Sequence, residues 1–297
     1  MLVAAIAGHR LESLLDASAF LGLGAAVDTR AHLGAAARTA LIDTLAGYVD
    51  LARWHGASNI TLLGTEPLRR AADAHRIVAD VGAATGVPLH VLSHEEEALL
   101  TLVGVTQGRS VTHETLVADI GGGSSEFCAV GPTGPPRAIG LRIGSDRLTT
   151  RHARHDPPTR AEVEAMTVAA EAALADALDA HPDELVIVGG TAWNLLKVAP
   201  DGIADTRLTP GRLSAALTTL LERPAGETAD RFALNPKRAQ LLPAGAAIVE
   251  ALMRRYRMDA LRVSDAGIRE GAVLSADHAG RAWRDRLPAL AHGWRTD

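Results

Sequence analysis

The stretch Leu116-Val-Ala-Asp-Ile-Gly-Gly-Gly-Ser-Ser-Glu-Phe127 decides how this chain is read. Leu116 to Ile120 is a short apolar run of the kind that forms a buried strand. It ends in Gly121, Gly122 and Gly123, followed by Ser124, Ser125 and Glu126, and a second apolar run starts at Phe127. Strand, glycine turn, strand is a hairpin, and glycines let backbone N–H groups face a ligand with no Cβ in the way. Such a concave row of amides suits a phosphate. Asp119 closes the first strand and Glu126 opens the second, so both acids can face the same tip. Carboxylates beside a phosphate cradle would repel it unless a hard cation such as Mg²⁺ stood between them. A glycine hairpin with two solvated acids has the same spacing, so the hairpin alone leaves both readings open.

Composition narrows the field. A chain of 297 residues is about two domains long, and 47% hydrophobic residues with only 3% aromatic imply sizeable cores of Ala, Leu, Val and Ile. The formal net charge of −5 advertises no basic face for nucleic acid. An anionic substrate would have to be held by local arginines and metal. Cys128 is the sole cysteine and falls in a predicted strand, which reads as a small buried hydrophobe rather than a reactive thiol. No apolar run reaches membrane-spanning length, and Met1 to Gly8 lacks the basic start of a signal peptide. The expected location is the cytoplasm, with no membrane partner.

Strands are predicted at residues 2–7, with Leu11 to Leu15 as hairpin partner, at 59–63, at 88–92, at 137–143, at 185–188 and at 261–264. Helices are predicted over 35–55, from Pro67 onward, over 94–105 behind a Ser93/Glu96 capping box, over 160–181 behind Thr159, through Leu196, over 212–221, over 238–257 and from Ile268. Gly144 to Arg147 reads as a turn. Strands alternating with helices, apart from the hairpins, argue an α/β fold with mixed sheets in two halves. The boundary is expected near residues 108–116, giving units of 1–114 and 115–297.

Four pieces could build one site. The hairpin tip is the first. His94-Glu95-Glu96-Glu97 is the second: Glu95 and Glu96 suit helix capping, whereas Glu97 would turn towards a cleft if its helix packs between the halves. Thr65 and Arg69 lie on a strand-to-helix turn, an arrangement suited to anions. Gly189-Gly190-Thr191, again between strand and helix, serves either close packing or a second phosphate contact. There is no P-loop, nucleophile elbow or H-E-x-x-H pattern, and Ser124 has no base in view.

Taken in order, these pieces resemble the exopolyphosphatase/guanosine pentaphosphate phosphatase (Ppx/GppA) family of the actin-like ATPase superfamily. Asp119-Ile-Gly-Gly-Gly-Ser-Ser-Glu126 is similar to the family's D-I-G-G-G-S-T-E, and Thr65-Glu-Pro-Leu-Arg-Arg-Ala71 to its T-x-x-L-R-x-A. Ser93-His-Glu-Glu-Glu-Ala98 is similar to S-G-x-E-E-A, and Gly189-Gly-Thr-Ala192, Arg238 to Gly245 and Ser264 to Gly271 match further motifs. The resemblance implies two ribonuclease-H-like (actin-like ATPase) domains with an interdomain cleft. It implies hydrolysis of a terminal phosphoanhydride of polyphosphate or of guanosine pentaphosphate (pppGpp), and dimerisation is common in the family.

Under the resemblance Glu97 is the base that activates water. Asp119 and Glu126 bind Mg²⁺, and Arg69, Gly121, Gly122, Gly123, Ser124, Gly190 and Thr191 hold substrate. The chain also departs from the pattern. The family's first strand and first phosphate loop find no match, Met1 to Ile6 aligning with the second strand. His94 stands for a glycine, Leu99 for an arginine and Gly140 for a serine. A hydrolase with a start upstream competes with a degenerate member that binds polyphosphate or guanosine tetraphosphate as a regulatory protein.

Overall fold

The computed structural model describes residues 1–7 and 10–295. It opens with an antiparallel ribbon of β1 (Leu2–Ala7) and β2 (Arg10–Asp16). Then come α1 (Leu23–Arg30), α2 (Gly34–Trp54), β3 (Leu62–Gly64), α3 (Glu66–Arg70), α4 (Ala74–Thr85), β4 (Leu89–Val91) and α5 (His94–Thr106). β5 (Thr115–Ile120), β6 (Ser125–Val130) and β7 (Arg137–Leu141) follow, then α6 (Ser145–His152), α7 (Arg160–Leu174), β8 (Glu184–Val188) and α8 (Gly189–Val198). The last elements are β9 (Arg207–Leu208), α9 (Pro210–Leu221), α10 (Ala225–Phe232), α11 (Pro236–Tyr256), β10 (Leu261–Val263), α12 (Ile268–Ala279) and α13 (Leu287–His292).

Six strands form one mixed sheet in the order β7-β6-β5-β8-β10-β9. β7, β6 and β5 are an antiparallel meander, β5, β8 and β10 run parallel, and β9 closes the edge antiparallel to β10. This is the mixed α/β architecture that strand–helix alternation predicts, and the ribonuclease-H-like strand order that the resemblance implies. The two-residue period divides the central strands between two cores. Leu116, Ala118, Ile120, Leu185 and Ile187 pack against α7, α8 and α11, whereas Val117, Val186 and Val188 face α5, α12 and α13.

Helix α5 is buried without a break from Glu97 to Gly104, so it shows no polar stripe. Its backbone touches that of α12. A Cβ on Gly104 would lie 2.0 Å from the Gly267 carbonyl oxygen, and one on Gly271 would lie 1.8 Å from that of Leu100. Its start is fixed as firmly. Ser93 Oγ accepts from Glu96 N at 3.1 Å, and Glu96 Oε2 accepts from Ser93 N at 2.7 Å, completing the capping box read from the sequence. A helix held at both ends carries Glu97 on its first turn to a defined place.

The N-terminal strands do not join into one sheet. β1–β2 and β3–β4 are separate two-stranded pieces, the second parallel. β1 and β3 line a shared cavity of about 560 Å³, with Leu45, Tyr48 and Val49 of α2 on one side and Ala272, Val273 and Ala276 of α12 on the other. In the six-stranded sheet, the place between an antiparallel ribbon and a parallel pair is filled by β5. Between β1 and β3 the corresponding place is this cavity.

Two local readings need correction. Gly144 to Arg147 is not a free turn but the start of α6. Its first N–H groups are capped by the hairpin tip: Ser145 N donates to Gly121 O, and Asp146 N to Gly122 O, both at 3.0 Å. Those acceptors lie more than twenty residues upstream in the sequence, so no local pattern reveals the helix. The helix expected over 160–181 ends at Leu174. There the bonds tighten to three-residue turns, and Tyr256 Oη takes the Leu178 carbonyl at 3.0 Å before the chain enters β8.

Candidate active site

The β5–β6 register sets Asp119 directly opposite Glu126, which turns both carboxylates to one face. Opposed like charges destabilise a bare hairpin unless a proton or a positive partner offsets them. At the tip every glycine carbonyl is occupied. Gly121 O and Gly122 O cap α6, and Gly123 O accepts from Arg147 Nε at 3.0 Å. Among the described residues, the N–H groups of Gly122, Gly123 and Ser124 donate to no backbone carbonyl. The tip thus points its carbonyls away and leaves three amides for an anion. A Cβ on Gly123 would sit 2.9 Å from the Glu66 carboxylate, so that side chain would have to shift.

Arg69, from α3, ties the pieces together. Its Nη1 donates to Glu97 Oε2 at 2.5 Å and to the Leu92 carbonyl at 3.0 Å, while Nη2 reaches Glu126 Oε1 at 3.2 Å. Glu126 Oε1 also accepts from Ser124 Oγ at 2.7 Å. His94 Nδ1 lies 2.7 Å from Glu126 Oε1 and 2.9 Å from Arg69 Nη2. One ring nitrogen serves only one of those bonds at a time: protonated it donates to Glu126, unprotonated it accepts from Arg69. Among the described residues the contacts of Glu126 converge on Oε1, which leaves Oε2 for another partner.

The β8–α8 turn completes the site. Gly189 has φ +92°, a left-handed conformation, and a Cβ on it would meet Asp119 Oδ1 at 2.7 Å. Close packing is served there. Helix α8 has no side-chain cap, so the N–H groups at Gly190 and Thr191 belong to its uncapped positive end. Ser145 Oγ links this end to the hairpin, 3.5 Å from Thr191 Oγ1 and 3.4 Å from Gly121 O. Arg238 leans over the same end, where a Cβ on Gly190 would contact its Nη1. A cation held against a helix N-terminus is unfavourable by itself and becomes favourable once an anion lies between them.

Burial and mutual repulsion raise the pKa of all three acids. Asp119 is pushed up to about 7 by burial and then by the charge of Glu97. Burial and Glu126 raise Glu97, opposed by Arg69; burial likewise raises Glu126, opposed by the Ser124 hydrogen bond. Burial and the neighbouring Arg69 lower His94, which favours the neutral imidazole. Three carboxylates around a single arginine carry surplus negative charge that a divalent cation would relieve. The Asp119 carboxylate has no hydrogen-bond donor among the described residues. No three His, Cys, Asp or Glu side chains there converge tightly enough to hold a metal by themselves. Mg²⁺ characteristically takes one or two carboxylates and completes its shell with water and substrate phosphate oxygens, so Asp119 with Glu126 Oε2 fits it.

The structure therefore gathers Glu97, Arg69, Asp119, Glu126, the glycine tip, Gly190 and Thr191 at one place. Sequence reasoning gave no role to two members. Glu66 is buried and bonded by Arg70 Nη1 at 2.5 Å and by Arg147 Nη2 at 3.4 Å, which locks α3 onto the hairpin tip. Arg238 was visible only as part of a motif. The substitutions at 94 and 140 turn out to be partners: a Cβ on Gly140 would lie 2.3 Å from the His94 ring.

With this geometry in place, comparison with known proteins is decisive. The model of the Ppx/GppA phosphatase family matches residues 2–279. The chain belongs to that family. It is 31% identical to exopolyphosphatase 2 of Mycobacterium tuberculosis over 300 aligned positions, covering 92% of each chain. It is 29% identical to the guanosine-5'-triphosphate,3'-diphosphate pyrophosphatase of Vibrio cholerae, over 73% of this chain and 44% of that one. The crystal structure of the Aquifex aeolicus family member superposes with a TM-score of 0.80 at 27% identity, covering 94% of this chain and 93% of that one. The family's actin-like fold is thus the fold of this chain.

Proposed function

We propose that this chain releases orthophosphate from the end of a phosphoanhydride chain, in polyphosphate or pppGpp, by attack of a water molecule activated by Glu97. The observation that carries the reading is the Arg69 bridge, which holds Glu97 and Glu126 on one guanidinium while Asp119 stands beside them. Relatives named for both substrates support the reaction class. Phosphoryl transfer asks a protein for positioning and charge stabilisation more than for covalent chemistry. The free amides of Gly122, Gly123 and Ser124 and the N-terminus of α8 would hold the terminal phosphate oxygens. Glu97, made more basic by burial, takes the proton of the attacking water, and Arg69 fixes the orientation of its carboxylate. Asp119 and Glu126 would hold Mg²⁺, whose charge offsets that of the phosphates. The units 1–114 and 115–297 would then face each other across the cleft, and the protein would act in the cytoplasm.

The test is orthophosphate release from polyphosphate and from pppGpp, with Mg²⁺ and with excess chelator. Release that requires the metal is the expected result. Tight binding of either compound without release would instead favour a regulatory binding protein.

A further inference from the structure

Beside the carboxylate cluster opens a cleft of about 570 Å³, lined by Val27 to Ala31 at the end of α1, by Glu66, Arg69 and Arg70, and by His94 and Arg142. Its charged lining holds four arginines against two carboxylates, in a chain whose formal net charge is −5. A basic cleft on an acidic protein concentrates anions locally. Its cations fall into two classes. Arg69 is committed to Glu97 and Glu126, and Arg70 to Glu66 and Asp28, so both belong to the frame. Arg30 and Arg142 are exposed and have no acidic partner among the described residues. They come from separate elements, Arg30 from the last turn of α1 and Arg142 from the segment between β7 and α6.

We propose that Arg30 and Arg142 form an outer clamp for the second and later phosphates of linear inorganic polyphosphate. The inference rests on the phosphoanhydride-hydrolase reading of the adjoining cluster. Every inner unit of polyphosphate carries a negative charge, so two arginines beyond the reacting end meet charge wherever the chain passes. Guanidinium forks suit phosphate oxygens, and these two need break no ion pair to bind them.

The experiment compares kcat and KM for tripolyphosphate, a longer polyphosphate of defined length, and pppGpp, in wild type, Arg30→Ala, Arg142→Ala and the double variant. Each single change is expected to raise KM for the longer chain about tenfold, equivalent to about 1.4 kcal/mol, with a larger rise in the double variant. Tripolyphosphate, which barely reaches past the cluster, should show a smaller rise, and kcat should move far less than KM. Arg142→Lys should recover part of the loss. A rise equal for both polyphosphates, or none, overturns the clamp. Should wild type release phosphate from none of the three, the hydrolase reading has failed. The clamp is then read by calorimetry with polyphosphate, where unchanged affinity in the double variant overturns it.

Discussion

Removing the charge of Asp119 should stabilise the metal-free protein while ending its function. The carboxyl is pushed from an ordinary 3.8 up to about 7 by burial and the charge of Glu97. Three units at 1.36 kcal/mol each set an upper limit of about 4 kcal/mol on the cost of holding it ionised. The native state thus keeps a proton that the unfolded chain has already released, and stability falls as pH rises across that window. Asp119→Asn should therefore be nearly neutral below the window and fully stabilising above pH 7, by about 2–4 kcal/mol, because some of the repulsion is shared with Glu97. At about 2 °C per kcal/mol for a chain of this length, the melting temperature rises by about 4–8 °C. Thermal melts at acidic and mildly alkaline pH, in chelator, measure this directly. A second arm adds Mg²⁺, which should raise the melting temperature of wild type and leave the variant unmoved, since a ligand stabilises only the state that binds it. A variant less stable than wild type above pH 7, or a gain independent of pH, would refute the reasoning.

Two further expectations concern packing. Gly140→Ser puts a Cβ against the His94 ring and should cost about 1–3 kcal/mol in denaturant unfolding, with His94→Gly restoring the loss in the double variant. A double variant no more stable than the single one would show that the two positions are not partners. In hydrogen exchange, the amides of β1 and β3 not bonded to β2 or β4 should exchange much faster than those of β5, which is paired on both sides. Equal protection would mean that the cavity between β1 and β3 does not persist in solution.

The parts of the site legible in the sequence are those written locally. The glycine hairpin, the Ser93/Glu96 capping box and the strand-to-helix turn at Arg69 each lie within one short window, so the elements could be read from spacing, while their chemical roles came from the family resemblance. What stayed hidden was carried by long-range contact. α6 is capped by carbonyls of the hairpin tip, Glu66 is bonded by Arg147 across 81 positions, and Arg238 reaches Gly190 from a different helix. The burial of α5 on every side also conceals its partner, because a helix without a polar stripe does not say which face meets α12. His94 and Gly140 looked like two independent departures from the family pattern, and only their contact shows one exchange of volume.

The central claim is that Glu97 primes the attacking water, and Glu97→Gln tests it most directly. The amide keeps the size of the side chain and can still accept from Arg69 but cannot take a proton, so folding and polyphosphate affinity should change little. Orthophosphate release should fall by about 10²–10⁴-fold, the usual worth of a positioned general base. Release within a few-fold of wild type in a folded, Mg²⁺-supplied variant would contradict the account.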